Sequence, residues 1–522
     1  MPRILRSGTP RDGDQVQGCR GGGGRWIMST TTLFPPEERL VGSERLIFNL
    51  YIITSLVVFV LMMLLGLVMR MAQGTWLDIS PDLFYQVMTA HGAVMVGTTA
   101  LASCAVMWFF LRKYVRLSPA IFATNYVLVL LGAVLILGAI FIGGYGGAWT
   151  FLYPLPVQSQ NVWSTNSAVV FMVGYLAIGV GFLLFYLDTM RAVIQRYGNL
   201  GRALGLPWLF GGEIDKSHPK TVVASTMVMI TNSIGTLAGA IALVMSIINA
   251  YYPAWAPDAL VIKNFIYLFG HMFINATIYM AVIAVYELLP RYSGRSWSIS
   301  RPFLWAWAIT VLMVLSVYPH HLLMDYVMPH WMLVMGQIVS YTSGIPVFVI
   351  TAYGALTNVH RSGIRWRLPS KLLMLSMFGW SAGVIPAIID GTIRVNLVMH
   401  NTLWVPGHFH FYILLGVLPM CLALMFHVID SRTSTSRSGA SGLLGFPAYL
   451  LGGLIFVMAF LAGGYISTPR RFAVHLPEWV SFDQCAAIGA MLVIAAMLLF
   501  TARIIFGLLK SADDANAAHI TR

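Results

Sequence analysis

The sequence predicts an all-α integral membrane protein, a bundle of about twelve transmembrane helices with both termini on the cytoplasmic side. Three observations carry this. Of the 522 residues, 58% are hydrophobic and only 10% charged, whereas an ordinary soluble domain carries about 25% charged residues. Apolar runs of about 20 residues, enough for one helical crossing of a bilayer, recur from Phe48 to Leu509. Basic residues gather in alternate loops, as they do where one set of loops faces the cytoplasm.

In chain order the expected spans are 47–69, 83–111, 121–142, 162–189, 221–249, 261–284, 303–324, 331–354, 371–389, 402–428, 444–466 and 482–508. Arg112, Lys113 and Arg116 follow the second span, and Arg191, Arg196, Arg202, Lys216 and Lys220 follow the fourth. Arg291, Arg295 and Arg301 follow the sixth, Arg361, Arg365, Arg367 and Lys371 the eighth, and Arg432 and Arg437 the tenth. A missed span would break this alternation. The other loops carry few cations, with the pair Arg470 and Arg471 the main exception. Two of them, 143–149 and 251–255, are rich in Gly, Pro, Trp and Tyr and suit caps at the membrane interface. The net charge of +13 would suggest a nucleic-acid partner in a soluble protein. Here the cations punctuate apolar spans, so the expected surroundings are lipid, with no nucleic acid.

Residues 1–27 are rich in Gly and Arg and lack the apolar core of a signal peptide, so they are expected to form a tail or to precede a true start at Met28. Residues 40–512 are expected to form the membrane domain, and 513–522 a short C-terminal tail. The cysteines Cys19, Cys104, Cys421 and Cys485 form neither a CxxC pair nor a CxxCH haem-attachment site. Any haem is therefore held non-covalently, and any cysteine-bound copper belongs to another subunit.

Six of the thirteen histidines fall within or at the end of expected spans: His91, His271, His320, His321, His408 and His410. An ionisable group inside a bilayer is costly and reads as functional by default. His91 and His271 lie eight and ten residues from the outer starts of their spans, roughly 12–15 Å deep at about 1.5 Å per residue. His408 and His410 lie six and eight residues in, and His320 and His321 end a helix running outward. All six thus belong to the outer half of the membrane, where independent helix-packing histidines would not gather. Residues two apart on a helix point about 200° apart, so His408 and His410 can serve two different centres. Imidazole suits both haem iron and copper. The adjacent His320 and His321 could share one small metal, with His271 as its third ligand.

These residues resemble subunit I of the haem–copper oxidase superfamily, most closely its B-type branch. The resemblance rests on His91-Gly92, Gly270-His271, His320-His321, the run from His400 through Pro406-Gly407-His408-Phe409-His410, and Pro469-Arg470-Arg471. It covers essentially all twelve spans. It implies a respiratory reductase with two haems and one copper ion in a bacterial or archaeal cytoplasmic membrane. His91 and His410 would hold the low-spin haem iron, His408 the high-spin haem iron, and His271, His320 and His321 the copper. His400, Arg470 and Arg471 would meet haem propionates, which accounts for a basic pair in an outer loop. Electrons would come from a partner subunit, cupredoxin-like or carrying a c-type haem.

One position departs from the oxygen reductases. Their A and B types place a tyrosine four residues after the helix-six histidine, cross-linked to a copper ligand, where Asn275 stands here. An amide cannot form a useful radical, so Asn275 joins His271, His320 and His321 as an expected catalytic position. Tyr279, at i+8, lies about 12 Å along the axis, while Tyr318 precedes His321 by three residues and could act as a relocated phenol. Loss of the tyrosine marks nitric oxide reductases in the superfamily. Those that are well known use non-haem iron with an added glutamate, but Glu287 lies sixteen residues beyond His271 and cannot reach. Three histidines without a carboxylate favour copper. The expected substrate gas is NO, reduced to N2O; the alternatives are O2 reduced to water with proton translocation, and a haem-binding sensor without turnover. Tyr286, Tyr341, Thr342 and Thr351 form the expected proton path, which Ser343 and Tyr353 could extend. Asp188, Glu287 and Asp390 sit near span ends and offer no proton gate within the spans.

Overall fold

The computed structural model describes residue 40 and residues 42–150, 152–432 and 439–520. Among the described residues, twelve helices are long and apolar enough to cross a membrane. They are α1 (Gly42–Gln73), α2 (Pro81–Leu111), α3 (Pro119–Phe141), α4 (Thr165–Tyr197), α5 (Lys220–Tyr251) and α6 (Ala259–Ser293). The second half comprises α7 (Arg301–Leu322), α8 (His330–Val359), α9 (Leu368–Asp390), α10 (Trp404–Ser431), α11 (Ser441–Tyr465) and α12 (Pro477–Lys510). Each corresponds to one expected span. Residues 1–27 and Met28 lie outside the described residues. The last helix runs on to Ile520, so most of the expected C-terminal tail is helical.

Helix starts follow capping chemistry. Ser80, Ser118 and Ser300 each accept the N–H three residues on, with a proline in the first turn, and Ser164 and Asp258 cap α4 and α6 in the same way. The two most enclosed helices are α10 and α2, with 89% and 83% of their apolar stretches buried, whereas α8 has 17%. The histidine-bearing α2 and α10 therefore form the centre of the bundle, and α8 lies at its edge. At the inner ends of α2, α5 and α6, Glu287 accepts from Lys113 Nζ at 3.0 Å, Tyr114 at 2.8 Å and Thr221 at 2.5 Å. This buried carboxylate ties three helices together and is far from any site in the outer half.

Three spans are interrupted where hydropathy averages show nothing. The α-helical part of α7 ends at Ser316 and gives way to a 3-10 turn, Tyr318–Leu322, which carries His320 and His321; Pro319 has no N–H with which to continue the helix. α8 breaks between Thr342 and Ile345, and Pro346 cannot donate to the Thr342 carbonyl. In α10 the α-helical turn Trp404–His410 opens into a wide π-type stretch, Phe411–Val417.

The sequential helices α3 and α4, like α11 and α12, approach each other at paired glycines. A Cβ added at Gly132 of α3 would lie 2.4 Å from the Gly174 carbonyl of α4, and one at Gly174 would lie 2.8 Å from the Gly132 carbonyl. With no hydrophobic drive between helices in lipid, such backbone approach supplies the attraction. Gly132→Val is expected to cost about 1–3 kcal/mol through overpacking, seen as a lowered thermal midpoint of the purified protein in detergent.

Candidate functional site

Eleven of the expected site residues line one cavity of about 560 Å³ in the outer half of the bundle: all six histidines, His400, Asn275, Tyr341, Arg470 and Arg471. Its volume falls within the range of about 300–1,000 Å³ typical of ligand and cofactor sites.

His271 of α6 meets the 3-10 turn of α7. Its Nδ1 lies 3.2 Å from His321 Nε2, which is 3.1 Å from His320 Nε2. Ligand atoms of the three rings lie within 4.8 Å of one another, the one such grouping of metal-binding side chains found among the described residues. Two nitrogens each about 2.0–2.1 Å from an ion at a tetrahedral angle stand about 3.3–3.4 Å apart. The trio therefore fits a small metal with little movement. The turn is seated against α8 at Gly336, where a Cβ would lie 2.9 Å from both His320 N and the Pro319 carbonyl carbon. Asn275, one turn from His271 on the same face, places its amide 2.7 Å from His271 Nε2. Tyr267, one turn the other way, stacks on His321 with ring centroids 5.3 Å apart at 18°.

On the other side of the cavity, His91 and His410 share a local device. His91 Nδ1 lies 2.6 Å from the Met62 carbonyl of α1, and His410 Nδ1 lies 2.6 Å from the Pro406 carbonyl one turn back. A carbonyl oxygen only accepts, so both Nδ1 atoms donate and both Nε2 lone pairs are left bare, the state that ligates iron. Phe456 and Phe460 of α11 flank His410 at 5.0 and 5.5 Å. His408 lies two residues before His410 and also lines the cavity.

The outer rim is cationic. Arg470 and Arg471 follow an isolated bridge between Thr402 and Pro469, and Arg470 N donates to the Asn401 carbonyl at 2.8 Å. Arg471 adopts φ +67°, a left-handed conformation that a non-glycine residue holds at a cost. Burial, followed by the neighbouring Arg471, lowers Arg470 to about 10. Burial and then the two guanidiniums push His400 down to about 4, so it is neutral near pH 7. Arg470 Nε is buried with no partner among the described residues. Two crowded guanidiniums with an unspent donor match the carboxylates of a haem edge.

The proton-path residues divide. Tyr286 and Thr351 are buried and joined at 2.6 Å; Tyr341 lines the cavity and bonds Thr392 at 2.6 Å. Thr342 is a correction. It is exposed on the outside of α8 and bonds only its own helix, at the Ile338 and Val339 carbonyls, because it follows Tyr341 in the same regular turn and so points about 100° away from it. Tyr353 is likewise 66% exposed, while Ser343 lines the cavity. Tyr318 donates to Asn264 at 3.0 Å and is not among the residues that line the cavity; Tyr279 and Tyr412 do line it. Arg70 was missed because the first span was ended at residue 69. It is buried, lines the cavity, lies 4.9 Å over Phe460 and pairs with buried Asp483 at 2.8 Å.

Residues 46–512 match the family described as Cytochrome C and Quinol oxidase polypeptide I. The chain belongs to this family. Among its relatives, the haem–copper oxidase subunit I+III of Aeropyrum pernix is 23% identical over 94% of this chain, which spans 58% of that longer protein. Cytochrome c oxidase polypeptide 1 of Halobacterium salinarum is 22% identical over 81% of this chain and 70% of its own length. A solved haem–copper terminal oxidase dimer shares the fold, with a TM-score of 0.72 and 20% identity over 91% of this chain and 84% of that one. The oxidase family is one of multi-pass membrane oxidoreductases holding two haems and a copper ion, and the donor sets above fit that complement. Gly336→Val is expected to push the His320 turn off its seat. Metal analysis should then give copper well below one per chain while haem stays near two.

Proposed function

We propose that this oxidase-family chain is the catalytic subunit of a respiratory reductase that converts NO to N2O. His91 and His410 hold the low-spin haem, His408 the high-spin haem, and His271, His320 and His321 the copper, while His400, Arg470 and Arg471 neutralise propionates. When bound, these groups supply electron transfer and reduction of the gas at a two-metal centre, 2 NO + 2 H+ + 2 e− giving N2O + H2O. The observation that carries the choice of NO is Asn275, whose amide sits against His271 where an oxygen reductase of the A or B type has its phenol. Two electrons suffice for this reaction, so no side chain need be oxidised. Among the described residues no carboxylate joins the histidine trio, which favours copper over iron there.

The chain's own residues supply binding, orientation and protons. Carbonyl-held imidazoles fix the ring planes, and apolar walls of Phe, Leu, Ile and Val keep bulk water from the cavity. Tyr286 bonded to Thr351, and Tyr279 two turns further along the same face of α6, form a file of phenols leading from the inner half toward the cavity. Electrons enter from the outer side, where the arginine rim lies, delivered by a cupredoxin-like or cytochrome c-type partner, since the chain has no covalent haem site of its own.

Reduction of O2 to water is the second reading. It is favoured by relatives named as cytochrome c and quinol oxidases and by the phenols of Tyr267, Tyr279 and Tyr341 in the cavity wall. A sensor without turnover has no use for the trio, and two haems with no copper in the purified protein would revive that reading. Steady-state consumption of each gas by the purified complex decides between the first two. N2O is expected at half the rate of NO loss, and Asn275→Tyr should not speed it; rapid O2 uptake with negligible N2O would overturn the choice of NO. Tyr286→Phe removes the hydroxyl that meets Thr351 and should slow turnover about 10-fold or more, the lower range of an acid–base contribution, with haem spectra and copper content unchanged.

A further inference from the structure

The three histidines read as haem ligands are not backed alike. His91 and His410 spend Nδ1 on backbone carbonyls at 2.6 Å. His408 Nδ1 is buried, has no hydrogen-bond partner among the described residues, and faces Asp390 Oδ2 at 3.8 Å. Asp390 is the last residue of α9 and is 9% exposed, and its carboxylate lies in the cavity wall. It is also held in place. Asn396, in the short outer helix Ile393–Met399, donates Nδ2 to the Asp390 carbonyl at 2.8 Å and to Oδ1 at 3.2 Å, leaving Oδ2 free to face His408.

We infer that Asp390 is the positioning carboxylate of His408, accepting its Nδ1–H and so making this imidazole a stronger donor than the other two. The inference rests on the reading of His408 as the high-spin ligand. A small rotation of either side chain shortens 3.8 Å to a hydrogen bond, and such contacts commonly tighten once a site is loaded. A carboxylate behind a ligating histidine fixes its tautomer and ring orientation and raises its basicity. In a site of low dielectric the negative charge acts at nearly full strength. The consequence is a division of labour along one turn of helix. The carbonyl-backed pair leaves its iron easy to reduce, whereas the carboxylate-backed ligand lowers the potential of the iron that meets substrate and strengthens its bond to nitrogen.

Resonance Raman and potentiometric titration of the purified holo complex test this without recourse to turnover. In Asp390→Asn, which keeps the shape and loses the charge, the iron–histidine stretch of the reduced high-spin haem should fall in frequency and its midpoint potential should rise. The low-spin haem should stay where it was, and Asp390→Glu, which keeps the charge but displaces it, should move both values in the same direction by a smaller amount. An unmoved stretch and potential in Asp390→Asn overturns the inference, as does a change confined to the low-spin haem, which would assign Asp390 to the arginine rim. Should Asp390→Asn fail to retain haem, Asp390→Glu decides alone: its displaced carboxylate must shift the stretch, and an unchanged frequency overturns the inference. His408→Ala separates the underlying reading, because survival of the stretch in that variant would mean His408 is not the ligand and the inference falls with it.

Discussion

A neutral imidazole has one N–H and one bare nitrogen, and in a bundle shielded from water each must be provided for. That constraint organises the outer half of this protein. Met62 and Pro406 take the N–H groups of His91 and His410, which leaves two lone pairs exposed to the cavity. The copper trio meets the same demand by convergence, with nitrogens 3.1 and 3.2 Å apart that want a cation between them. The surrounding helices are arranged to keep these rings in register: α1 supplies a carbonyl, α8 a glycine seat for the 3-10 turn, and α11 two aromatic rings.

Much of this was legible in the sequence because it is local or periodic. Twelve apolar runs and alternating basic loops are properties of single segments, and every span was found. The six histidines stood out because each is an expensive residue in an apolar run, and the His408-Phe409-His410 spacing alone implies two directions. Asn275 was legible as an i+4 neighbour of His271, and the structure puts its amide on that ring.

What was not legible depends on partners distant in the chain or on breaks in helix geometry. Arg70 is tolerable in α1 only because Asp483 lies against it from α12, and no local window shows that pairing. Asp390 read as a span-end residue, yet α9 ends at the level of the cavity rather than outside it. Thr342 was grouped with Tyr341 because both are polar neighbours in one apolar run. Adjacent residues on a helix point about 100° apart, so Tyr341 reaches the cavity while Thr342 is exposed, and the apolar run alone does not say which of the two faces inward.

The wide turn Phe411–Val417 lies directly beneath the two ligands of α10. Such a stretch holds one more residue per turn than an α-helix and so acts as a register slip between the segments on either side. Above it, side-chain directions answer to metal geometry; below it, Leu418–Arg432 answers to close packing in the most enclosed helix of the bundle. Because the slip absorbs the mismatch, the inner half of α10 can be repacked by substitution without rotating the ligands. The cofactor end and the packing end of one continuous helix are thus free to diverge at different rates.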